Sequence, residues 1–264
     1  MKKAILLGVF LTFSGIGAWM QYMVSNPLNS ATSFMIFYDN PTEQTISRLK
    51  EVDVAIIAVH AFTREQIKEI QDAGTLIFAY TSLMQLENWN TTMTSQVKSN
   101  DFVEQDGERI YIKEWDTYLM DIRQSHYQQL LLTKIEIERR EKQVDGVFFD
   151  TVDDLYYYFH DTEEHKSYLL AYETILKDVS DQGLIIFQNR GFETLQAKGE
   201  PYVSGVLWEN FDSSNFEESS WARNWMLKLH RYHTSGKVRL FTEVRSDPSE
   251  QVSLNLGFPT FRKE

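Results

Sequence analysis

Residues 144–158 read VDGVFFDTVDDLYYY. Gly146-Val147-Phe148-Phe149 carry no charge, and a short apolar run of this kind reads as a strand buried on both faces. Asp150 stands where that strand ends. Asp153 and Asp154 follow within one turn, and three tyrosines come next. Proteins of the α/β class build active sites where buried strands deliver polar side chains at their C-terminal tips. What the other segments bring to the same face therefore decides what Asp150 can do.

Working outward, Phe34–Tyr38 reads as a strand ending at Asp39, Val54–Val59 as one ending at His60, and Leu76–Tyr80 as a third. Tyr118–Met120 is expected as a fourth strand ending at Asp121, which makes Gly146–Phe149 the fifth. Leu184–Phe187 follows with Gln188-Asn189 at its tip, then Val203–Trp208 ending at Glu209, then Val238–Val244 with Glu243 near its end. Helical spacing lies between most of them. Pro41 and Thr42 open a helix expected to run through Lys50, Thr63 is placed as an N-cap, Gly74 and Gly236 as stops, and Ser125–Lys142 reads as a long amphipathic helix. Strands alternating with helices imply a parallel sheet. Eight such units in one α/β chain of 264 residues fit a (β/α)8 TIM barrel, for which about 250 residues is typical. An open doubly wound sheet is the alternative, but it usually has fewer strands, and no Gly-rich phosphate loop is present.

The chain divides into residues 1–32 and a barrel over 33–264. Met1-Lys2-Lys3 is a short basic start, Ala4–Met20 is almost wholly apolar or small, and no charge occurs between Lys3 and Asp39. This is the pattern of a signal sequence. The uncharged stretch, reaching Val24 at roughly 20 residues, would also serve as an uncleaved membrane anchor. The absence of cysteine excludes disulfides, thiolate nucleophiles and Cys-type zinc sites. The formal net charge of −12 argues against a nucleic-acid partner, since phosphate binding needs basic surface. It suits a cationic substrate, although acidic surfaces mostly serve solubility.

Asp39, His60, Tyr80, Asp121, Asp150, Gln188-Asn189, Glu209 and Glu243 fall at strand tips, and in a barrel these share one face. Converging carboxylates must bind a cation, share protons or divide roles. Two carboxylates across a sugar ring are the apparatus of glycoside hydrolysis, and crowding helps one of them keep a proton. Asp150 and Glu209 each directly end a buried-type strand, so they are the carboxylates least easily read as caps. Asp39 before Asn40-Pro41 is equally a turn former, Asp121, Asp153 and Asp154 suit helix caps, and Arg245 could pair with Glu243. Trp115 and Trp208, near tip carboxylates, are the aromatic residues best placed to stack on a sugar. No metal or cofactor site is expected. His160 and His165 lack further ligands at proper spacing, and His230 and His233 read as a solvated helix face.

VDGVFFDTVDD, LIIFQNRGFE and VSGVLWENF, in that order, resemble the exported TIM-barrel endo-α-1,4-polygalactosaminidases of glycoside hydrolase family 114, which include the Pel hydrolase type. The resemblance implies cleavage of α-1,4 linkages in galactosamine-containing polysaccharide, cationic where de-N-acetylated. It implies Asp150 and Glu209 as the catalytic pair, taken here as nucleophile and general acid/base with the two roles interchangeable. Asp39, Tyr80, Asp121, Asp153 and Asn189 would line the sugar site. Where many relatives carry Gly-Glu after the third strand, this chain has Ser82-Leu83-Met84-Gln85, with Glu87 further on. A catalytically silent polysaccharide-binding barrel of an exopolysaccharide system is the alternative reading.

Overall fold

In the computed structural model, which describes residues 26–263, Gly146–Asp150 is a strand with ladders on both sides. It pairs in parallel with Leu76–Ser82, in the register Phe78 to Gly146 and Ser82 to Asp150, and with Ile185–Asn189, where Ile185 faces Gly146. The sheet continues through Val54–Ile57 to Phe34–Phe37 in one direction. In the other it runs through Val203–Trp208 and Arg239–Val244 to Thr260–Arg262. All eight strands are parallel, and helices cover the outside. The ladder is open only between the first and the eighth strand, where the Phe34 and Phe261 rings lie 5.7 Å apart. The fold is a (β/α)8 barrel.

Two strand assignments change. Thr117–Leu119 is not the fourth barrel strand, because it pairs antiparallel with Gln85–Glu87 and Tyr111–Ile112 in a small separate sheet. That sheet belongs to an excursion between the third barrel strand and the helix Ser125–Ile137. The fourth barrel strand is therefore Gly146–Asp150. The eighth is Thr260–Arg262, paired with Thr242–Val244. At three residues, with only Phe261 apolar, it is too short to show a pattern.

The local signals elsewhere have direct counterparts. Thr63 caps Arg64–Asp72 in a full capping box: its hydroxyl accepts from Gln66 N and Gln66 Oε1 accepts from Thr63 N. Thr42 caps Glu43–Leu49. The expected signal or anchor lies in residues 1–25, outside the described residues. Among the described residues no helix is long and apolar enough to cross a membrane.

The period of two along each strand sorts side chains between two cores. The barrel interior holds Phe34, Val54, Ile56, Phe78, Phe148, Phe187, Leu207 and Phe241, with Leu28 and Ala31 packed in the same cluster. The Phe187 ring meets Phe78, Phe148 and Phe241 at 5.6, 5.1 and 4.7 Å. Gly146 makes room for this packing. A Cβ on it would lie 2.3 Å from the Ile185 carbonyl oxygen and 2.5 Å from the Phe78 ring. The alternate residues, such as Val147, Phe149, Ile186 and Trp208, pack outward against the helices. The aromatic interior is thus a filled floor, and the residues one step beyond it stand at the mouth.

Candidate active site

Continuing the inward row by two residues gives the side chains at the mouth. Phe148 leads to Asp150, Phe187 to Asn189, Leu207 to Glu209 and Phe241 to Glu243. Phe78 leads to Tyr80, Ile36 to Tyr38 and Phe261 to Lys263. The Asn189 amide nitrogen donates to Asp150 Oδ1 at 2.9 Å and to Glu209 Oε2 at 2.8 Å. Those two oxygens therefore stand no more than about 5.7 Å apart, the length of both bonds laid end to end. Tyr80 donates its hydroxyl to Asp150 Oδ2 at 2.9 Å, and Thr151 N donates to Asp150 Oδ1 at 2.9 Å. Three donors thus hold the Asp150 carboxylate in one orientation. Glu209 has fewer restraints: besides Asn189, the Lys263 ammonium lies 3.7 Å away.

The backbone is strained around these residues. Thr151, Arg190 and Asn210 have φ of 61°, 47° and 52°, and each directly follows Asp150, Asn189 or Glu209. A left-handed β-branched residue is a genuine outlier, and such strain clusters at functional sites where the surroundings over-determine it. At Thr151 the surroundings are visible. Its hydroxyl donates to the Asp150 carbonyl at 2.7 Å, accepts from Met84 N at 2.9 Å and meets Ser82 Oγ at 3.1 Å. The segment Ser82–Gln85 that departs from the Gly-Glu pattern is therefore part of what pins the tip of the fourth strand.

The electrostatics are those of an acidic, partly desolvated mouth. Burial, then the nearby Asp150, pushes the Tyr80 phenol far above its usual range, so it stays a neutral donor. Tyr38, whose ring lies 4.7 Å from that of Tyr80, is raised in the same way, by desolvation of its hydroxyl and then by Asp150, Glu209 and Glu243. Glu243 is 2% exposed and raised by burial, against the pull of Lys263 at 3.4 Å. Asp153 is raised by burial, opposed by Arg190 at 3.4 Å. Asp154, which accepts from Gln85 Nε2 at 2.6 Å, is pushed up to about 7 by burial.

The Asp154 shift predicts a pH dependence of stability. Between an unfolded carboxyl near 4 and about 7, the folded state holds a proton that the unfolded state has lost, so stability falls as pH rises through this window. Asp154→Asn lacks that loss and its amide oxygen can still accept from Gln85. The variant is expected to match wild type below about pH 4 and to exceed it by about 1–3 kcal/mol at pH 8, read by denaturant unfolding at both pH values. A difference that does not change with pH would contradict this assignment.

Of the residues expected at the sugar site, Tyr80 and Asn189 join Asp150 and Glu209, and Asp153 lies beside them. Three do not join. Asp121 ends a strand outside the barrel. Although burial would raise it, Arg123 Nε and Nη2 at 2.8 and 2.9 Å and Gln124 at 3.0 Å hold it below the usual carboxylate range. Both its oxygens are occupied, and it serves the turn into the helix Ser125–Ile137. Trp208 has the opposite parity to Leu207 and Glu209, so it points away from the mouth. It is 7% exposed and packs among Phe192, Phe211, Phe216 and Trp221. Asp39, one residue past the inward Tyr38, is exposed and makes no hydrogen bond among the described residues. Trp115 remains open, at 65% exposure, on the turn of the small sheet. Sequence reasoning passed over Tyr38 and Lys263. The inward parity of Phe34 and Ile36 identifies the first. Nothing marks the second until the eighth strand is known.

A parallel eight-stranded barrel with two close carboxylates at its C-terminal mouth is the arrangement of a glycosidase. The chain belongs to glycoside-hydrolase family GH114, whose model matches residues 20–238. It is a glycoside hydrolase. No curated protein matches it. Among solved structures, the glycoside hydrolase domain of PelA from Pseudomonas aeruginosa is similar at 17% identity and a TM-score of 0.70, over 88% of this chain and 94% of that one. Aspergillus fumigatus Ega3, solved with galactosamine, is similar at 14% identity and a TM-score of 0.66, over 89% and 91%. A maltogenic α-amylase, AmyB from Thermotoga neapolitana, shares the fold at 10% identity and a TM-score of 0.57, over 89% and 68%.

Proposed function

We propose that the protein is an exported glycosidase that cleaves α-1,4 linkages in a galactosamine-containing polysaccharide of a biofilm or cell surface. Asp150 is the nucleophile and Glu209 the general acid and base. The observation that carries this reading is the single Asn189 nitrogen shared by both carboxylates. Their near oxygens lie within about 5.7 Å of each other, and carboxylates bridged this closely favour the retaining route over the inverting one, whose carboxyls stand about 6.5–9.5 Å apart to admit a water. In the first step Asp150 attacks the anomeric carbon as Glu209 gives its proton to the departing glycosidic oxygen, leaving a glycosyl ester on Asp150. In the second, Glu209 takes a proton from water, which attacks the same carbon and frees Asp150. The tight restraint of Asp150 suits the attacking group, and the looser Glu209 suits the group that exchanges protons with solvent.

An amino-sugar substrate is supported by the charge of the mouth. Asp150, Glu209 and Glu243 face it, with Lys263 the cation within 4 Å of the latter two. The likeness to Ega3, solved with galactosamine, agrees. Export is supported by the basic and apolar start of the sequence. The test is incubation of the wild-type protein with de-N-acetylated and fully N-acetylated α-1,4-galactosamine polymers and with amylose, with products read by mass spectrometry. Oligosaccharides from the de-N-acetylated polymer and none from amylose are expected. Release from amylose alone would overturn the substrate assignment.

A further inference from the structure

Beside the carboxylate pair the mouth has a second recess. A cavity of about 410 Å³ is lined by Trp115, Tyr156 and Trp221 and by Asp153, Asp154 and Glu193. Its size is within the range of small-ligand sites, about 300–1,000 Å³. Asp150 and Glu209 do not line it. The two elements that lead to it nevertheless start at the mouth: Asp153 opens the helix just after Asp150, and Arg190, also on its wall, directly follows Asn189, the amide that bridges the carboxylate pair. The left-handed Arg190 ends with its guanidinium on Asp153.

The aromatic walls are held from behind and open in front. The Trp221 indole N–H donates to Glu193 Oε1 at 2.8 Å, the same oxygen accepts from Trp225 at 3.0 Å, and the Trp221 ring stacks on Phe192 at 5.9 Å and 25°. Yet Trp221 is 43% exposed and Tyr156 38%, while Trp208 and Trp225 behind them are buried. Fixed, open rings are suited to stacking on the apolar face of a sugar, at little cost in side-chain ordering. The polar walls favour a cation. Three carboxylates face one guanidinium, which is already engaged by Asp153. A chain of hydrogen bonds positions Asp154: Thr117 donates to Gln85 at 2.7 Å and Gln85 to Asp154 at 2.6 Å. Burial raises both Asp153 and Asp154, so a bound ammonium would offset a charge that the protein alone leaves poorly compensated.

We infer that this cavity binds a positively charged amino-sugar unit of the polymer away from the bond being broken, its ring on Trp221 and Tyr156 and its ammonium at Asp153 and Asp154. The inference rests on the proposed reading of the mouth as an amino-sugar polymer site. It gives the excursion that carries Gln85, Trp115 and Thr117 a function, as the wall and support of a subsite.

The test is calorimetric titration of Glu209→Gln protein with α-1,4-galactosamine oligosaccharides, de-N-acetylated or N-acetylated, repeated after adding Trp221→Ala or Tyr156→Ala. Affinity for the de-N-acetylated oligosaccharide is expected to fall about 10- to 100-fold in each double variant. The N-acetylated one is expected to bind the parent at least about tenfold more weakly. Thermal unfolding checks that each variant folds, and the more peripheral Tyr156 keeps the test valid if Trp221→Ala does not. Unchanged affinity in the folded variants, or equal affinity for the two oligosaccharides, overturns the site. Unchanged binding alongside wild-type hydrolysis of the polymer would remove this site and leave the proposed function standing. Loss of binding in a protein that hydrolyses nothing would do the reverse.

Discussion

Asp150→Asn is expected to lose at least about 10⁴-fold in turnover on polymer and on an aryl galactosaminide with a good leaving group alike. A nucleophile is needed whatever departs. Glu209→Gln is expected to behave differently: on polymer, where the leaving sugar hydroxyl needs a proton, it loses about 10²- to 10⁴-fold in the first step. On the aryl substrate that step is nearly spared, because the leaving group departs without protonation, and the glycosyl ester then accumulates. Added azide separates the roles further. It replaces the water in Glu209→Gln and gives a glycosyl azide of retained configuration, whereas in Asp150→Asn it takes the nucleophile's place and gives the inverted azide. The opposite pattern would exchange the two roles, which we propose on the strength of the three donors on Asp150 against the looser Glu209. Neither substitution should lower stability, since each removes one negative charge from a mouth that also holds Glu243.

Gly146→Ala is expected to abolish the folded protein, a loss of more than about 4 kcal/mol, at a residue that touches no substrate. The added methyl would lie 2.3 Å from a backbone oxygen of the neighbouring strand and 2.5 Å from the Phe78 ring. Neither can yield. The oxygen is fixed by the parallel ladder, and the ring is wedged against Phe187. Gly205→Ala is the internal comparison. Its methyl would meet Leu28 Cδ1 at 2.6 Å, the far end of a side chain that can change rotamer, so the loss should be about 1–3 kcal/mol. Circular dichroism and denaturant melts of the two variants check both. A Gly146→Ala protein as stable as Gly205→Ala would mean that the strand packs in another register.

The stretch around Gly146–Asp150 was legible because it is buried on both faces and ends abruptly in charge. The same held for Val203–Trp208 before Glu209. The barrel was legible from alternation, but the eight strands were reached through two errors that offset each other. Tyr118–Met120 has the length and apolar content of a barrel strand, yet its partners are antiparallel. Thr260–Arg262 has one apolar residue and is specified by its neighbour. At the tips, reading only the last residue of each strand ignored the period of two. Parity admits Tyr38, Tyr80, Asn189 and Lys263 and turns Trp208 into the helix layer, where its ring meets Phe192 at 5.0 Å. Asp121 went astray with its strand. The left-handed backbone at Thr151 and Arg190 had no sequence signal, since neither residue favours that region, whereas Asn210 is of a type that adopts it readily.

The most direct test of the paired carboxylates is product release from de-N-acetylated α-1,4-galactosamine polymer by wild type, Asp150→Asn and Glu209→Gln, at matched concentrations and with folding verified. Oligosaccharides from wild type alone are the predicted result. Equal release from all three, or release from none, would contradict it.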